Sequence, residues 1–457
     1  MAQGYSPDDT IVALATPQGV SGLAVIRLSG KDAIHITQQV FTGKTLVDQP
    51  SHTIHLGTLT EGGKTIDEVL VSLFKEPNSF TKENSIEISC HGSPVIVRQI
   101  IKLFLKRGAR LAEPGEFTKR AFMNGRFDLA QAEAVGDLIH AESENARQAA
   151  LNQMRGGFSK EIKFLRQELI HFASLIELEL DFGEEDVEFA KRKDLLQLIE
   201  RIQTYLARLI ISFDQGNVIK NGIPTVIAGK PNAGKSTLLN ALLNEEKALV
   251  SEIPGTTRDV IEDEITLGGT IFRFMDTAGL RDTNDSIEAL GISRARERMR
   301  AASLILYVVD LSKASLNEII QEDEELKALG IPYIKVGNKL DKAPTQLLKE
   351  IENQEFILIS AAHKTNLDTL KEVILSKFNI REVKQGDVLV TNLRHYQKLT
   401  ETHEALNRVI IGLDSEITGD FLAMDIRQAL YFLGEITGEI TSDDLLENIF
   451  ANFCIGK

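Results

Sequence analysis

The octapeptide from Gly229 to Ser236 constrains the fold of this chain more than any other feature. It reads GKPNAGKS and fits the pattern G-x-x-x-x-G-K-[ST], in which a glycine-rich turn joins a strand to a helix. Backbone N–H groups of the turn and the helix N-terminus form a cradle for phosphate oxygens. The pattern predicts a parallel α/β domain, with Ile223–Ala228 as the preceding strand and Ser236–Leu243 opening the helix.

Three further motifs follow in the order typical of GTPases: Asp276-Thr277-Ala278-Gly279, Asn338-Lys339-Leu340-Asp341 and Ser360-Ala361. Lys235 is expected to reach the β- and γ-phosphates, and the Ser236 hydroxyl to ligate Mg²⁺. Asp341 can accept from the two N–H donors on the pyrimidine edge of guanine, which adenine lacks. The sequence therefore predicts binding of GTP with Mg²⁺.

Other positions complete the predicted GTP site. We expect Asn338 to brace the loop, Lys339 to pack over the base, and the Ser360-Ala361 backbone to face the guanine oxygen. Gly255-Thr256-Thr257-Arg258-Asp259 lies where a first switch belongs, and Thr257 is a candidate second Mg²⁺ ligand, although the segment alone could be an ordinary polar loop. The predicted GTP-binding residues are Gly229, Asn232, Ala233, Gly234, Lys235, Ser236, Thr237, Ser251, Glu252, Ile253, Thr256, Thr257, Asp276, Thr277, Ala278, Gly279, Asn338, Lys339, Asp341, Ser360 and Ala361.

One position departs from the pattern of Ras-like GTPases. In those proteins a glutamine after Asp-x-x-Gly orients the attacking water, whereas Leu280 stands here and cannot form a hydrogen bond. Either hydrolysis is slow, or another residue and another positive charge act instead. Glu288 is the candidate residue, and an ordinary surface glutamate is the alternative.

Composition limits the class of protein. A chain of 457 residues suggests about three domains, and no apolar run reaches the roughly 18 residues of a membrane helix. The start of the chain lacks the basic residues of a signal peptide. The two cysteines exclude a disulfide framework and fit a reducing cytoplasm.

Charge is unevenly distributed along the chain. The net charge of −15 argues against a protein coated with nucleic acid. Between Arg98 and Arg126, eight Lys/Arg oppose Glu113 and Glu116, and Glu177 to Glu188 holds seven acids and no base. Solvated helix faces account for both runs, but the basic run is also the best local candidate for contact with a polyanion.

Proline spacing indicates the domain organisation. The stretches 115–223 and 345–457 contain no proline, so both are candidates for helical structure. Residues 1–114 carry short β-rich runs such as Thr10–Ala13 and Leu23–Leu28 together with helical patches, which predicts an α+β domain. Residues 223–380 alternate strand and helix signals. We predict an α/β GTPase domain inserted between two halves of a helical domain.

The whole chain resembles the MnmE (TrmE) family of bacterial and organellar tRNA-modification GTPases, within the TrmE-Era-EngA-YihA-Septin-like superfamily. The terminal pentapeptide is the most specific of the matching motifs. The matching motifs are Asp9-Thr10-Ile11-Val12-Ala13, Thr16-Pro17, His91-Gly92, Pro114-Gly115-Glu116-Phe117, Asp128-Leu129-Ala130-Gln131-Ala132-Glu133, Gly255-Thr256-Thr257-Arg258-Asp259 and the terminal Phe453-Cys454-Ile455-Gly456-Lys457.

The resemblance implies a homodimer that works with an FAD- and NADH-using partner, the glucose-inhibited division protein A (MnmG). Such pairs install an aminomethyl or carboxymethylaminomethyl group at C5 of the wobble uridine of certain tRNAs. A 5-formyl- or methylene-tetrahydrofolate supplies the one-carbon unit. The implied domains are a tetrahydrofolate-binding and dimerisation domain, a helical domain in two parts and a GTPase domain; their residues are 1–118, 119–218 with 381–457, and 219–380.

The resemblance also implies residue roles. The folate-contacting positions match Arg27, Glu87, Arg126 and Lys457, and Arg126 stands where a lysine also occurs. Potassium-dependent pairing of the GTPase domains would supply the missing positive charge. The potassium positions match Asn232, Ser251, Ile253 and Thr256, with Ser251 in place of a threonine. Glu288 matches the glutamate that orients the water.

Three questions stay open at this point. Cys454, which we include with Lys235 and Glu288 among the catalytic candidates, could be a nucleophile or redox group, or simply a buried thiol. His91 could be a structural turn residue. The chain could instead be a regulatory GTPase that acts as a timer in ribosome assembly, or a folate enzyme regulated by GTP.

Overall fold

A computed structural model describes residues 9–181, 192–246, 263–275, 299–378, 382–415 and 419–456. The chain forms two compact units. Unit 1 comprises Met1–Ile139, Ala150–Ala207 and Gln397–Lys457, and unit 2 comprises His140–Ala149 and Arg208–Tyr396.

Unit 1 contains a seven-stranded sheet in the order β3-β4-β5-β6-β2-β1-β7. All neighbouring strands are antiparallel except β1 and β7, which are parallel. The strands are β1 Ile11–Leu14, β2 Ser21–Ser29, β3 Phe41–Thr42, β4 Thr53–Glu61, β5 Lys64–Phe74, β6 Ser85–Gly92 and β7 Arg110–Leu111. The predicted α+β character of the first 114 residues is confirmed.

One face of this sheet forms a core with two helices, α1 (Ala33–Gln38) and α2 (Pro94–Lys106). Side chains alternate between the two faces of a strand, so residues such as Ile86, Ile88 and Cys90 of β6 are buried in that core. Their neighbours in β6 lie on the opposite face. The register places Glu87 directly across from Arg27 of β2.

Helices occupy the first proline-free stretch, as the sequence predicts. They are α3 Glu116–Met123, α4 Leu129–Ile139, α5 Glu144–Met154, α6 Gly157–Asp181 and α7 Arg192–Asn221. Ile162, Leu165 and Leu169, which recur at helical spacing in α6, are buried.

Unit 2 contains a six-stranded sheet in the order β13-β12-β11-β8-β10-β9. Every neighbouring pair is parallel except β9 and β10. The strands are β8 Ile223–Ala228, β9 Asp263–Leu267, β10 Thr270–Phe274, β11 Leu304–Asp310, β12 Tyr333–Asn338 and β13 Phe356–Leu358; the helices are α8 Lys235–Glu246, α9 Leu316–Ala328, α10 Thr345–Glu350 and α11 Leu367–Lys377. The predicted alternation of strand and helix is confirmed, and β8 has the predicted bounds.

The last part of the chain is helical, with α12 Leu393–Asp414, α13 Gly419–Thr437 and α14 Asp443–Ala451. The second proline-free stretch is therefore mostly helical, although it also contains the short strand β13. Within the described residues, no helix combines the length and apolar composition that crossing a membrane requires.

Candidate functional site

The phosphate loop joins β8 to α8 through backbone conformations that side chains rarely adopt. Gly229 and Gly234 have φ angles of 140° and 95°, and Asn232 has 62°. A Cβ atom at Gly229 would lie 2.2 Å from the Val308 carbonyl oxygen, and one at Gly234 would lie 2.2 Å from Asn338 Nδ2. Glycine is therefore required at both positions by close approach as well as by backbone angle.

Lys235 begins α8 and directs its ammonium group back into the loop. Its Nζ donates to the carbonyl oxygens of Gly229 and Lys230, at 2.9 Å in each case. Burial lowers the pKa of this lysine. Ser236 is the next residue on the same helical turn. A cation and a helix N-terminus at one loop are the features that bind phosphate groups.

Asn338, at the end of β12, ties the base-recognition motif to the phosphate loop. Its side chain is buried, and Nδ2 donates to the Ala233 carbonyl oxygen at 2.9 Å. Its Oδ1 accepts from the Ala361 N–H at 3.0 Å. Lys339 adds a hydrogen bond from Nζ to the Asn232 carbonyl oxygen, at 2.8 Å. Three motifs that are distant in sequence thus form one hydrogen-bonded cluster.

Asp310, at the end of β11, belongs to this cluster and was not predicted. Its Oδ2 accepts from Lys339 Nζ at 2.6 Å, and its Oδ1 accepts from the Ser312 hydroxyl at 2.6 Å. Burial alone would raise the pKa of Asp310, but the hydrogen bonds from Lys339 and Ser312 outweigh it and lower the pKa. The available signal was its place at the carboxyl end of a buried strand, where functional side chains of parallel sheets collect.

Asp341, the candidate for guanine recognition, lies in a single 3₁₀ turn, Leu340–Lys342. The Ser360 hydroxyl donates to its Oδ1 at 2.7 Å and lowers its pKa. The carboxylate is therefore ionised near neutral pH and acts only as an acceptor, which suits the paired donors of guanine.

The predicted backbone contact to the guanine oxygen meets a complication. The Ala361 N–H donates to Asn338, and the Ser360 N–H donates to the Thr365 carbonyl oxygen at 3.3 Å. Either group would have to share or exchange its acceptor to reach a base, so this contact stays a prediction.

Several predicted residues lie outside the described part of the chain. They are Ser251, Glu252, Ile253, Thr256, Thr257, Asp276, Thr277, Ala278, Gly279, Leu280, Glu288 and Lys457. Asn232 and Thr237 are described, and both are exposed. The Asn232 side chain makes no hydrogen bond with any described residue, which leaves its oxygen available to a cation.

A second group of predicted residues meets on the face of the unit 1 sheet opposite α1 and α2. Arg27 Nε and Nη2 donate to Glu87 Oε1 at 3.0 and 2.8 Å. The Arg27 guanidinium carbon lies 5.6 Å from the ring centroids of both Phe80 and Phe117. The ion pair is only partly exposed, with 21% and 32% of the two side chains accessible.

Arg126 joins the same group through Phe80. Its guanidinium carbon lies 5.1 Å from the Phe80 ring centroid and 5.2 Å from that of Phe127. Its Nη1 donates to the Ser79 carbonyl oxygen, and burial lowers its pKa. Phe80 and Phe117 were not among the predicted site residues, because the sequence alone does not distinguish an aromatic residue at a site from one that packs in the core.

The C-terminal segment returns to this group. Arg27 Nη1 donates to the Gly456 carbonyl oxygen at 3.3 Å, and Ile455 forms a β-bridge with Pro114. A Cβ atom at Gly456, where φ is 93°, would lie 2.3 Å from the Leu14 carbonyl oxygen. Cys454 is exposed on the same segment. Arg27, Glu87, Arg126 and the residue before Lys457 are thus brought together.

His91 is anchored by a buried carboxylate. Asp67 accepts from the His91 backbone N–H at 2.8 Å and lies 2.8 Å from His91 Nδ1. Cys90, the preceding residue, is buried in the core, and this burial together with the charge of Asp67 raises the pKa of its thiol to about 11. Cys90 is therefore an inert core thiol, and Asp67 fixes the orientation of the His91 ring.

Comparison with known proteins gives matches over almost the whole chain. The family model described as MnmE helical domain matches residues 129–454, and the one described as GTP-binding protein TrmE N-terminus matches residues 10–126. The chain is 58% identical to the tRNA modification GTPase MnmE of Cytophaga hutchinsonii, covering 98% of both chains. It is 51% identical to that of Christiangramia forsetii, covering 98% of this chain and 99% of the relative.

A match to a solved structure covers less of the chain. Era of Aquifex aeolicus, crystallised with GDP and AlF4⁻, is 27% identical and covers 40% of this chain and 66% of its own, with a TM-score of 0.26. A score this low supports no argument about architecture.

Proposed function

Because this chain belongs to the MnmE family of tRNA modification GTPases, we propose that it couples GTP hydrolysis to modification of the wobble uridine, position 34, of certain tRNAs. It is a GTPase, as its family membership indicates. The observation that carries the proposal is the cluster in which Asn338 and Lys339 tie the guanine-recognition motif to the phosphate loop.

In the GTP site, each described residue has a physical task. The loop from Gly229 to Ser236 holds the phosphates with its N–H groups. When nucleotide binds, the Lys235 ammonium gives up its hydrogen bonds to the loop carbonyl oxygens and donates to phosphate oxygens instead. Asp341 selects guanine because its carboxylate accepts two hydrogen bonds. Mg²⁺, when bound, neutralises phosphate charge; Ser236 and Thr257 are its expected ligands, and the position of Ser236 on the first turn of α8 fits that role.

Potassium-dependent pairing of two GTPase domains is the proposed source of the missing positive charge. The exposed Asn232 side chain, at a left-handed position of the loop, supports this proposal. Ser251, Ile253 and Thr256 are the other expected ligands, and Glu288 is the expected water-orienting residue. K⁺, when bound there, supplies the charge that an arginine supplies in other GTPases.

The cation dependence of hydrolysis tests this mechanism. GTP turnover by the full chain should be much faster in KCl than in NaCl at equal ionic strength, and Asn232→Ala should remove the difference. The matched variant Gln346→Ala, on the exposed surface of α10, should keep it. Equal turnover in the two salts would exclude the potassium mechanism.

The residues of unit 1 fit a tetrahydrofolate. Glu87 has a carboxylate oxygen beyond the one held by Arg27, and a carboxylate can accept from the amino and amide N–H groups of a pterin ring. The rings of Phe80 and Phe117 border the same ion pair, and Arg126 and Lys457 suit the carboxylates of the folate tail. A 5-formyl- or methylene-tetrahydrofolate, when bound, supplies the one-carbon unit.

We also propose a homodimer formed through the β4–β5 part of the same face of this sheet. Ile54, Leu56 and Leu70 lie on this face with 65%, 63% and 44% of their surface exposed. In the strand register, Ile54 pairs with Ser72, and Ser72 pairs with Glu87. The exposed apolar residues therefore lie on the same face of the sheet as the candidate folate site, one or two strands away from Glu87. An exposed apolar surface of this kind favours association.

The partner and the product follow from the family. We propose that the FAD- and NADH-using protein MnmG, the glucose-inhibited division protein A, joins two copies of this chain in a cytoplasmic heterotetramer. Together they would install the aminomethyl or carboxymethylaminomethyl group at C5. We further propose that the GTPase domain, 219–380, is inserted between the helical segments 119–218 and 381–457, after the N-terminal domain 1–118.

A timer acting in ribosome assembly is the competing function, and it would not need the C-terminal segment. Deleting Cys454–Lys457 should abolish modification, measured by mass spectrometry of wobble nucleosides from cells, while GTP hydrolysis continues. Restoring the full chain is the control. Unchanged wobble-uridine modification in the strain that carries the truncated chain would favour the timer and would exclude a chemical role for Cys454.

A further inference from the structure

Helix α2 carries a basic surface that takes no part in either site described above. Lys64, Arg98, Lys102, Lys106 and Arg107 form it, and we call this set the α2 basic surface. Arg98, Lys102 and Lys106 follow each other at intervals of four residues, so they lie along one side of the helix with a rise of about 6 Å between neighbours. All five residues are exposed at the surface of unit 1.

Few acids oppose this surface. The sequence contains no Asp or Glu between Glu87 and Glu113, and the buried side of α2 consists of apolar residues such as Ile100, Leu103 and Phe104. Lys106 pairs with Glu61 at 2.6 Å, and Lys64 lies across the β4–β5 hairpin from the same glutamate. Among the described residues, Glu61 is thus the one carboxylate that forms an ion pair with this surface.

The remaining cations of helix α2 and its C-terminal end form no ion pair with another described residue. In the described part of the chain, Arg98, Lys102 and Arg107 have no ion-pair partner. Arg110, which the sequence places in the same basic run, is different, because it is held by Asp9 and Glu116. The structure thus separates the basic run into an ion-paired structural part and a part that can bind an external anion.

We propose that the α2 basic surface binds the phosphate backbone of tRNA, an inference that rests on the function proposed above. A regular row of cations fits a regular row of phosphates, and such contacts position a nucleic acid without reading its sequence. Since the chain carries a net charge of −15, its overall charge repels RNA, and binding concentrates where the local charge is positive.

A membrane fits this surface less well. A helix that lies in a membrane interface presents apolar residues together with its cations, whereas the apolar side of α2 is already buried in the core of unit 1. Val95 is the one large apolar residue of α2 with an exposed side chain, at 60%.

The test compares tRNA binding by three double variants of the full chain. Arg98→Gln with Lys102→Gln removes two charges while keeping good helix formers. Arg98→Lys with Lys102→Arg keeps the charges, and Lys160→Gln with Lys193→Gln removes two exposed charges from the helices α6 and α7. The probe is an unmodified tRNA transcript with a wobble uridine, and the Kd is measured between about 50 and 200 mM salt, a range over which phosphate contacts change affinity strongly.

The charge-removing pair should raise the Kd about tenfold at low salt, and it should reduce the slope of log Kd against log salt by about 1.4 to 1.8, since each phosphate contact contributes about 0.7 to 0.9. The charge-keeping pair and the α6–α7 pair should bind like the unaltered chain. A circular dichroism spectrum and an unfolding midpoint equal to those of the unaltered chain would exclude misfolding as the cause.

Several results would overturn the proposal. One is an unchanged Kd and slope in the charge-removing pair, and another is an equal loss of tRNA binding in the α6–α7 pair. Absence of tRNA binding by the unaltered chain would also overturn it. So would a charge-removing pair that keeps its affinity for tRNA but no longer binds phosphatidylserine vesicles. Failure of the proposed function is separate, because it appears as normal wobble nucleosides in a strain that lacks the whole chain.

Discussion

At the scale of single residues, Asn338 decides how the nucleotide site is held together. Its two side-chain hydrogen bonds connect the phosphate loop at Ala233 with the segment at Ala361. The sequence predicted this bracing role from the motif alone. It could not predict that Asp310 holds the neighbouring Lys339, since an aspartate at a strand end can equally be a turn residue or a solvated surface group.

Asn338→Ala should weaken both the site and the fold of unit 2. Truncation leaves the Ala233 carbonyl and the Ala361 N–H without their buried partner, at a cost of about 1 to 3 kcal/mol. We expect GDP affinity, measured with a fluorescent analogue, to fall about tenfold or more, together with stability in urea. Gln346→Ala is the control. Normal affinity and stability in Asn338→Ala would contradict the bracing role.

The two cysteines should differ sharply in reactivity. Cys454 is exposed, whereas Cys90 is buried and its pKa is raised to about 11, so little reactive thiolate forms there near neutral pH. A colorimetric thiol assay should detect one fast-reacting group in the native chain and two after denaturation. Cys454→Ser should remove the fast reaction. If that variant still reacts quickly, Cys90 is accessible and its assignment to the core is wrong.

At the scale of secondary structure, α7 illustrates how packing overrides helix propensity. Gly216 lies within this long helix, where glycine is usually unfavourable. A Cβ atom at Gly216 would lie 2.1 Å from the Val390 carbonyl oxygen, and the Val390 N–H donates to Ser212 Oγ on the same helix at 3.2 Å. The absence of a side chain at Gly216 lets the later segment approach α7.

Gly216→Ala should therefore destabilise unit 2, although the same substitution stabilises most helices. We expect a loss of about 1 to 3 kcal/mol from overpacking, measured by urea denaturation. Asp214→Ala, at an exposed position of the same helix, should instead gain a few tenths of a kcal/mol from helix propensity. A gain of stability in Gly216→Ala would mean that the segment at Val390 can move away at no cost.

At the scale of the whole molecule, an ion-pair network connects parts of unit 1 that are far apart in sequence. Arg120 is fully buried and contacts Asp9, Glu83 and Glu116. Arg110 contacts two of these acids. The network connects Asp9 and Glu83, which lies three residues after Phe80, to helix α3, which carries Phe117. It thus supports the residues around Arg27.

This network should make stability depend on pH in acid. Burial would raise the pKa of Asp9 and Glu116, but the hydrogen bonds from Arg110 and, for Asp9, Arg120 outweigh it and lower both values. A lowered pKa in the folded chain means that the carboxylates add stability above their ordinary values near about pH 4. This stability is lost as the pH falls through the lowered folded values.

Arg120→Met should cost about 3 to 5 kcal/mol at neutral pH, because it removes the buried cation that Asp9, Glu83 and Glu116 share and leaves only Arg110 to pair with two of them. It should also reduce the loss of stability between about pH 5 and pH 3, since the pKa values of Asp9 and Glu116 return toward normal. Urea denaturation across this range measures both effects. Arg147→Met, which removes an exposed ion pair, should change neither, and an unaltered pH profile in Arg120→Met would contradict the network.

Sequence alone was sufficient to identify the phosphate loop, the order of the GTPase motifs, the helical stretches and the family. These features depend on local chemistry: glycine permits the φ angles of the loop, and apolar spacing identifies helices and strands. Each can be read within a few consecutive residues.

Contacts between residues that are distant in sequence depend instead on how the chain folds. Arg27, Glu87, Arg126 and Gly456 converge because strand register places two of them opposite each other and the end of the chain returns to Leu14. The structure also divided one basic run into the ion-paired Arg110 and Arg120 and the exposed cations of α2. Local sequence cannot make that division, because the burial and pairing of a charge depend on the side chains that other parts of the chain bring to it.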